Sequence, residues 1–156
     1  MDHRELERRI DTFLGEFRIV VPALAALLGF QLIAAMQQTY AQLPPTQRMA
    51  NFGGVVCTML AIAFMLVPTA YHRLAPHLHE DEAFIVLSQR SLALGTLFFA
   101  LSLTVSLYVQ AARSFGSDVV SVAFAAGTAL VLGTSWWLFP RRFARSVQST
   151  GRDRVP

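Results

Sequence analysis

The chain has 156 residues, of which 54% are hydrophobic and only 15% are charged, and its formal net charge is +3. This length allows one domain, and the composition is too apolar for an ordinary soluble domain. The single cysteine, Cys57, excludes a disulfide framework.

The N-terminal segment, residues 1–18, carries charges of both signs and ends where an apolar stretch begins. Apolar residues recur in this segment at helical spacing, at Leu6, Ile10, Phe13, Leu14 and Phe17. The pattern predicts an amphipathic helix over residues 1–18 that lies on the cytoplasmic membrane surface and turns inward near Pro22. Packing of this helix against a partner subunit is the alternative.

Four stretches contain no Asp, Glu, Lys, Arg or His. They are residues 19–47, 49–71, 91–112 and 119–140. At about 1.5 Å per residue, a helix over any of them crosses the roughly 30 Å of membrane hydrocarbon. A soluble protein with four such helices would need charged residues on their exposed faces. The sequence therefore predicts an all-α membrane protein with one transmembrane domain over residues 19–140. The four predicted transmembrane helices cover about residues 19–42, 49–71, 84–112 and 119–140.

The arginines indicate which helix ends face the cytoplasm. All 13 basic residues are arginine, and eleven lie before span one, around the loop between spans two and three, or after span four. Only Arg48 and Arg113 lie on the other side. Because cytoplasmic loops are enriched in Lys and Arg, both termini are predicted to be cytoplasmic. The tail, residues 141–156, contains Arg141, Arg142 and Arg145, which are predicted to bind anionic lipid.

Span one contains a row of amide side chains. Gln31, Gln38 and Gln42 are spaced at i, i+7 and i+11, which would place them on one face of a continuous helix. An amide in hydrocarbon needs a hydrogen-bond partner. The row therefore predicts either hydrogen bonding to neighbouring helices or the lining of a pore or polar cavity.

Small residues mark where the other helices are expected to approach one another, since membrane helices pack closely at such positions. Span two offers Gly53, Cys57 and Ala61, span three offers Ser91, Gly95, Ser102 and Ser106, and span four offers Ser121, Ala125, Ala129 and Gly133. These rows predict packing surfaces and carry no chemistry of their own.

The segment YHRLAPHLHEDE, residues 71–82, holds three of the four histidines. His77 and His79 would project to the same side of an extended segment, and Glu80 and Asp81 could add oxygen ligands to a metal. Histidine also titrates near neutral pH, as a pH sensor requires. The acidic run is, however, typical of a helix start. Metal site, pH sensor and helix start remain alternatives, of which the sequence favours the last.

Three segments, GEFRIVVPALAALLGFQL, QTYAQLPPTQR and VPTAYHRL, resemble the domain-of-unknown-function family 6328 (DUF6328) of small four-span bacterial membrane proteins. The matching residues are Glu16, Arg18, Pro22, Phe30, Gln31, Pro68, Ala70, Tyr71, His72 and Arg73. The resemblance runs from about residue 5 to residue 113 and is weak in span four. It implies a multi-pass protein of a bacterial inner membrane, with a shared cytoplasmic exit from helix two at Tyr71, His72 and Arg73. There Arg73 could hold a lipid phosphate and Tyr71 could anchor at the interface.

The spans themselves limit the possible functions. The four charge-free stretches place no acidic or basic side chain deep in the membrane, which disfavours the sodium:proton antiport with which some members of that family are labelled. No nucleophile–base pair lies at one depth, so neither an enzyme nor a cofactor is predicted. Because four helices enclose little volume, the leading hypothesis is a homo-oligomeric channel or transport subunit for a small ion or solute.

The alternative is a non-transporting scaffold, or a module that binds lipid or a partner through its arginine-rich cytoplasmic face. The predicted partners are the lipid bilayer, including its anionic lipids, and further copies of the chain. No nucleic-acid partner is predicted.

Overall fold

The computed structural model describes residues 3–74 and 82–138, and it describes the side chains of residues 20–71 and 86–138. Within these ranges the chain is entirely helical apart from short connections. The four helices are α1 (His3–Met36), α2 (Pro45–Leu74), α3 (Glu82–Phe115) and α4 (Asp118–Gly133). A 3₁₀ turn, Gln38–Gln42, follows α1, and a π turn, Thr134–Leu138, follows α4. The prediction of an all-helical protein is confirmed.

Three segments of the described chain are long and apolar enough to cross a membrane, judged by length and composition. They are Pro45–Tyr71, Val86–Phe115 and Asp118–Leu138. The apolar part of α1, Val20–Met36, is shorter. At about 1.5 Å per residue it measures about 26 Å, slightly less than the hydrocarbon thickness of a typical bilayer. These apolar helices identify an integral membrane protein.

Helix α1 is one uninterrupted helix of 34 residues that contains Pro22. A separate helix over residues 1–18 is not found, because α1 continues through residue 18, and the change of direction near Pro22 stays a prediction. A proline inside a helix removes one backbone hydrogen bond and crowds the carbonyl four residues earlier, but the flanking turns can continue through it. Whether residues 3–18 contact the membrane surface stays a prediction.

Helix α1 ends at Met36, six residues before the predicted end of span one at residue 42. Gln37 has an extended backbone (φ −70°, ψ 143°), and the chain then forms the 3₁₀ turn, with Tyr40 N–H bonded to the carbonyl of Gln37 at 2.9 Å. Pro44 and Pro45 explain the end of the 3₁₀ turn at Leu43, whose backbone is extended (φ −67°, ψ 145°), and the start of α2. Proline disfavours a helical conformation in the residue before it, but it fits the first position of a new helix, as Pro45 does in α2.

The chain divides into two compact units between Ser102 and Leu103. The first unit contains α1, α2 and the N-terminal part of α3. Its core is built from Leu24, Ala61 and Met65, and the half-buried side chains packed against that core are Val20, Ile62, Phe98 and Phe99. The rings of Phe64 and Phe98 stack with their centroids 5.6 Å apart. These contacts join all three helices of the unit.

Gly95 allows a close approach between α2 and α3 inside this first unit. A Cβ atom built at Gly95 would lie 2.7 Å from Met65 Cγ and 3.2 Å from the carbonyl oxygen of Ala61. The first distance would force Met65 or one of the helices to shift, and the second is shorter than an ordinary van der Waals contact. The predicted small-residue packing at Ala61 and Gly95 is therefore confirmed, whereas a Cβ at Gly53 would have no atom within 4 Å.

The second unit contains the end of α3 and α4. Gly116, with φ 62°, ends α3 by donating its N–H to the carbonyl of Ala112 at 3.0 Å. This left-handed conformation is open to glycine without steric penalty, and it closes the helix with a single bond from the glycine N–H. Asp118 follows in the first turn of α4, where a negative charge interacts favourably with the helix dipole. Across the turn, the rings of Phe115 and Phe124 stack with their centroids 5.7 Å apart.

Candidate functional site: a buried polar cluster

Three polar side chains from three different helices meet inside the first unit. Gln31 of α1 is 5% exposed, and Thr58 of α2 and Ser102 of α3 are fully buried. Gln31 Nε2 donates to Ser102 Oγ at 2.9 Å, and Thr58 Oγ1 donates to Gln31 Oε1 at 2.9 Å. The two hydroxyl oxygens, Thr58 Oγ1 and Ser102 Oγ, are 2.6 Å apart. We refer to Gln31, Thr58 and Ser102 as the polar cluster.

The backbone carbonyl of Gly54 completes the surroundings of the polar cluster. It lies 3.1 Å from Thr58 Oγ1 and 3.0 Å from Ser102 Oγ. Thr58 is four residues after Gly54 on α2, so its hydroxyl can reach back to that carbonyl as threonines in helices commonly do. Ser102 makes the same contact from the neighbouring helix.

The two hydroxyl groups of the polar cluster have more possible acceptors within reach than protons to donate. Thr58 and Ser102 have one hydroxyl proton each, and each hydroxyl can also accept. The pattern that bonds all three side chains is a closed ring. In it Gln31 donates to Ser102, Ser102 donates to Thr58, and Thr58 donates back to the Gln31 carbonyl oxygen. The contacts to Gly54 are then alternative acceptors.

This arrangement holds helices together and does no acid–base chemistry. An amide and two hydroxyls carry no charge near neutral pH, and none of them accepts a proton readily. Within the described residues, no group of three or more His, Cys, Asp or Glu side chains could hold a metal ion. The cluster satisfies polar groups that would otherwise be unpaired in an apolar interior, where each would cost several kcal/mol.

The other two glutamines of the predicted row do not join Gln31. Gln38 and Gln42 lie in the 3₁₀ turn after α1, and both are exposed. The single helical face that was predicted to contain all three is therefore wrong, because the helix ends before Gln38. Tyr40 in the same turn donates its hydroxyl to the carbonyl of Arg48 at 3.2 Å, which ties the turn to the start of α2.

The remaining predicted site residues lie near the C-terminal end of α2 or outside the described chain. Tyr71 is half-buried near the end of α2, and His72 and Arg73 belong to the last turn of that helix. The candidate metal or pH-sensing residues and the candidate lipid-binding arginines lie outside the described residues. They are His77, His79, Glu80, Asp81, Arg141, Arg142 and Arg145.

Sequence reasoning predicted interhelical hydrogen bonding as one use of Gln31, and the structure gives it that use. It treated Ser102 only as a small packing residue and did not single out Thr58. A signal was present, since Thr58 follows the Gly53–Gly54 pair within an apolar helix, where a hydroxyl can reach a closely packed neighbour. Nothing in one sequence, however, states which hydroxyl faces which amide.

The fold and the polar cluster define a helical integral membrane protein with a hydrogen-bonded interior. Residues 1–140 match a family model described as "Family of unknown function (DUF6328)". The match covers most of the chain, so the protein belongs to the DUF6328 family. No curated protein and no solved structure matches the chain.

Proposed function

We propose that this DUF6328 protein is a non-enzymatic membrane scaffold with four membrane-spanning helices, whose arginine-rich cytoplasmic face binds anionic lipid. The fourth span is the apolar part of α1, Val20–Met36, alongside the three longer segments. Both termini lie in the cytoplasm of a bacterial cell, because eleven of the thirteen arginines then lie on the cytoplasmic side.

The observation that supports a scaffold over a channel is the position of Gln31. A polar side chain at depth suggests a water path only if it faces water or another subunit. Gln31 instead bonds Thr58 and Ser102 inside its own chain, and 5% of it is exposed. The deepest amide of α1 is thus occupied by the packing of α1 against α2 and α3.

Lipid binding by the tail is tested by replacing Arg141, Arg142 and Arg145 with glutamine together. Each arginine near an anionic surface contributes about 1 kcal/mol, so the triple variant is expected to bind anionic lipid at least about tenfold more weakly. The measurement is the number of phosphatidylglycerol molecules that the purified protein retains in native mass spectrometry, titrated against phosphatidylcholine.

The matched control replaces Arg48 and Arg113, the two arginines predicted to lie on the opposite side, with glutamine. This control is expected to retain phosphatidylglycerol as the parent does. If the triple variant and the parent retained equal numbers of phosphatidylglycerol molecules, the tail would not be the lipid-binding site. Unchanged lipid retention with the loss of a copurifying subunit would indicate a protein partner instead.

A homo-oligomeric channel or transport subunit is the second candidate, and the exposed amides of the 3₁₀ turn favour it. Gln38 and Gln42 are both exposed next to the end of α1, where copies of the chain around a symmetry axis would form a ring of amides. Amide rings of this kind can replace part of an ion's hydration shell.

The channel hypothesis predicts ion flux through liposomes that contain the purified protein, measured between about pH 5 and pH 8, where histidines titrate. Replacing Gln38 and Gln42 with leucine together is expected to lower that flux severalfold, since both amides would leave the mouth of the pore. Gln89→Leu, which removes an exposed amide from α3, is the control and should conduct as the parent does. Liposomes that contain folded protein but show no ion flux would exclude the channel hypothesis.

A further inference from the structure

The apolar segment of α1 is shorter than the three candidate spans, and it contains the buried amide of Gln31. Val20–Met36 is about 26 Å long, so Gln31 lies within hydrocarbon whenever this segment spans the bilayer. An unpaired amide at that depth is costly.

The polar cluster forms only after two later helices are in place. The amide oxygen of Gln31 accepts from Thr58 of α2, and its amide nitrogen donates to Ser102 of α3. These partners lie 27 and 71 residues further along the chain. They are synthesised after α1.

The apolar contacts of α1 follow the same face as its polar contact. Among the described side chains of α1, only Leu24 and Gln31 are buried, and they are seven residues apart. A spacing of seven places both on one side of the helix. Leu24 packs with Ala61 and Met65. Large apolar side chains elsewhere on α1 remain exposed and suit a lipid environment, among them Phe30, Ile33 and Met36.

We propose that α1 takes its membrane-spanning position only together with docking of α2 and α3, because Thr58 and Ser102 must receive the Gln31 amide. The polar cluster then acts as an insertion latch for α1. This inference rests on the four-span arrangement proposed above and adds a condition under which the first span forms.

The test measures which side of the membrane the turn after α1 reaches. In a Cys57→Ala background, Ala41→Cys places one thiol at an exposed position of the 3₁₀ turn. An N-terminal epitope tag marks the side on which the chain starts. Right-side-out and inverted vesicles are labelled with a membrane-impermeant maleimide.

In the parent, labelling is expected only from the side opposite the tag. In Thr58→Val/Ser102→Ala, labelling from that side is expected to fall by about tenfold, since the buried amide loses its two bonds to α2 and α3. Adding Gln31→Leu to this variant removes the amide itself and is expected to restore labelling to the parent level. Thr128→Val, which removes a hydroxyl bonded within α4, should leave the parent result unchanged.

Each alternative outcome has a separate meaning. A thiol that reacts on the side of the tag in the parent would exclude the four-span arrangement and the latch with it. Parent-like labelling of Thr58→Val/Ser102→Ala would overturn the latch and leave that arrangement intact. A loss that Gln31→Leu does not reverse would also overturn it, because general damage to packing would then be the cause.

Discussion

Thr58→Val is expected to lower the free energy of unfolding by about 1–3 kcal/mol, although the two side chains have nearly the same shape. The substitution removes the donor to Gln31 Oε1 and one of the partners of Ser102 Oγ, and both atoms are buried with the cluster. Losing a hydrogen bond to a buried oxygen is costly because the apolar interior shields that oxygen from water. The measurement is unfolding of the detergent-solubilised protein, followed by circular dichroism.

The control for this substitution is Thr128→Val. Thr128 donates its hydroxyl to the carbonyl of Phe124, and this bond lies within α4. Its loss is expected to change stability by less than about 0.5 kcal/mol. Equal effects at positions 58 and 128 would show that the interhelical bonds of the polar cluster contribute little.

The same geometry predicts that Gln31→Leu lowers the free energy of unfolding less than Thr58→Val does. Without the amide, Ser102 can donate to the carbonyl of Gly54 and Thr58 can donate to Ser102, so both hydroxyls remain bonded. Replacing a polar group while its former partners keep other bonds can be nearly neutral. A Gln31→Leu variant that unfolds more easily than Thr58→Val would contradict this account.

Gly95→Ala is the second substitution with a large expected effect. The added methyl group would lie 2.7 Å from Met65 Cγ and 3.2 Å from the backbone oxygen of Ala61. Relieving these contacts requires α2 and α3 to separate or Met65 to leave its position in the core, and overpacking of this kind costs about 1–3 kcal/mol. Thermal unfolding in detergent measures the loss.

Two further variants test whether the loss of stability in Gly95→Ala comes from the contact with Met65 or from replacing any glycine in a helix. Gly53→Ala has open space around its added methyl group and is expected to be neutral or stabilising by up to about 1 kcal/mol, since alanine favours helix. Gly95→Ala combined with Met65→Ala should be less destabilised than the sum of the two single variants, because the second change removes the closest clashing atom. Strict additivity would show that Met65 is not the obstacle.

The main features of this fold follow from composition. Long stretches without charge suit hydrocarbon, and there only helices or closed barrels satisfy the hydrogen bonds of the backbone. The positions of the arginines along the chain bear on membrane orientation and require no knowledge of packing. Gly95 was recognisable as a packing residue because small side chains mark helix contacts in membranes.

The ends of α1 and the partners of Gln31 were not accessible in the same way. Helix α1 stops at Met36 because the backbone of Gln37 is extended, and such a boundary is decided by local competition that periodicity does not report. The contacts from Gln31 to Thr58 and Ser102 join residues far apart in the chain. Periodicity places each residue on a face of its own helix, but it does not state which faces meet.

Because α1 is continuous, the positions of its charged N-terminal half have a fixed angle around the helix axis relative to the buried positions further along. At about 100° per residue, positions 6, 10, 13 and 17 fall within roughly 60° of positions 24 and 31 around the helix axis. Four of the five apolar positions of the N-terminal segment and the buried positions of α1 thus share one side of a continuous helix, whereas Leu14 lies about 80–100° away. Adding or deleting a single residue near position 20 would turn the two halves by about 100° and separate these positions. The stretch between them therefore works as a spacer of fixed length.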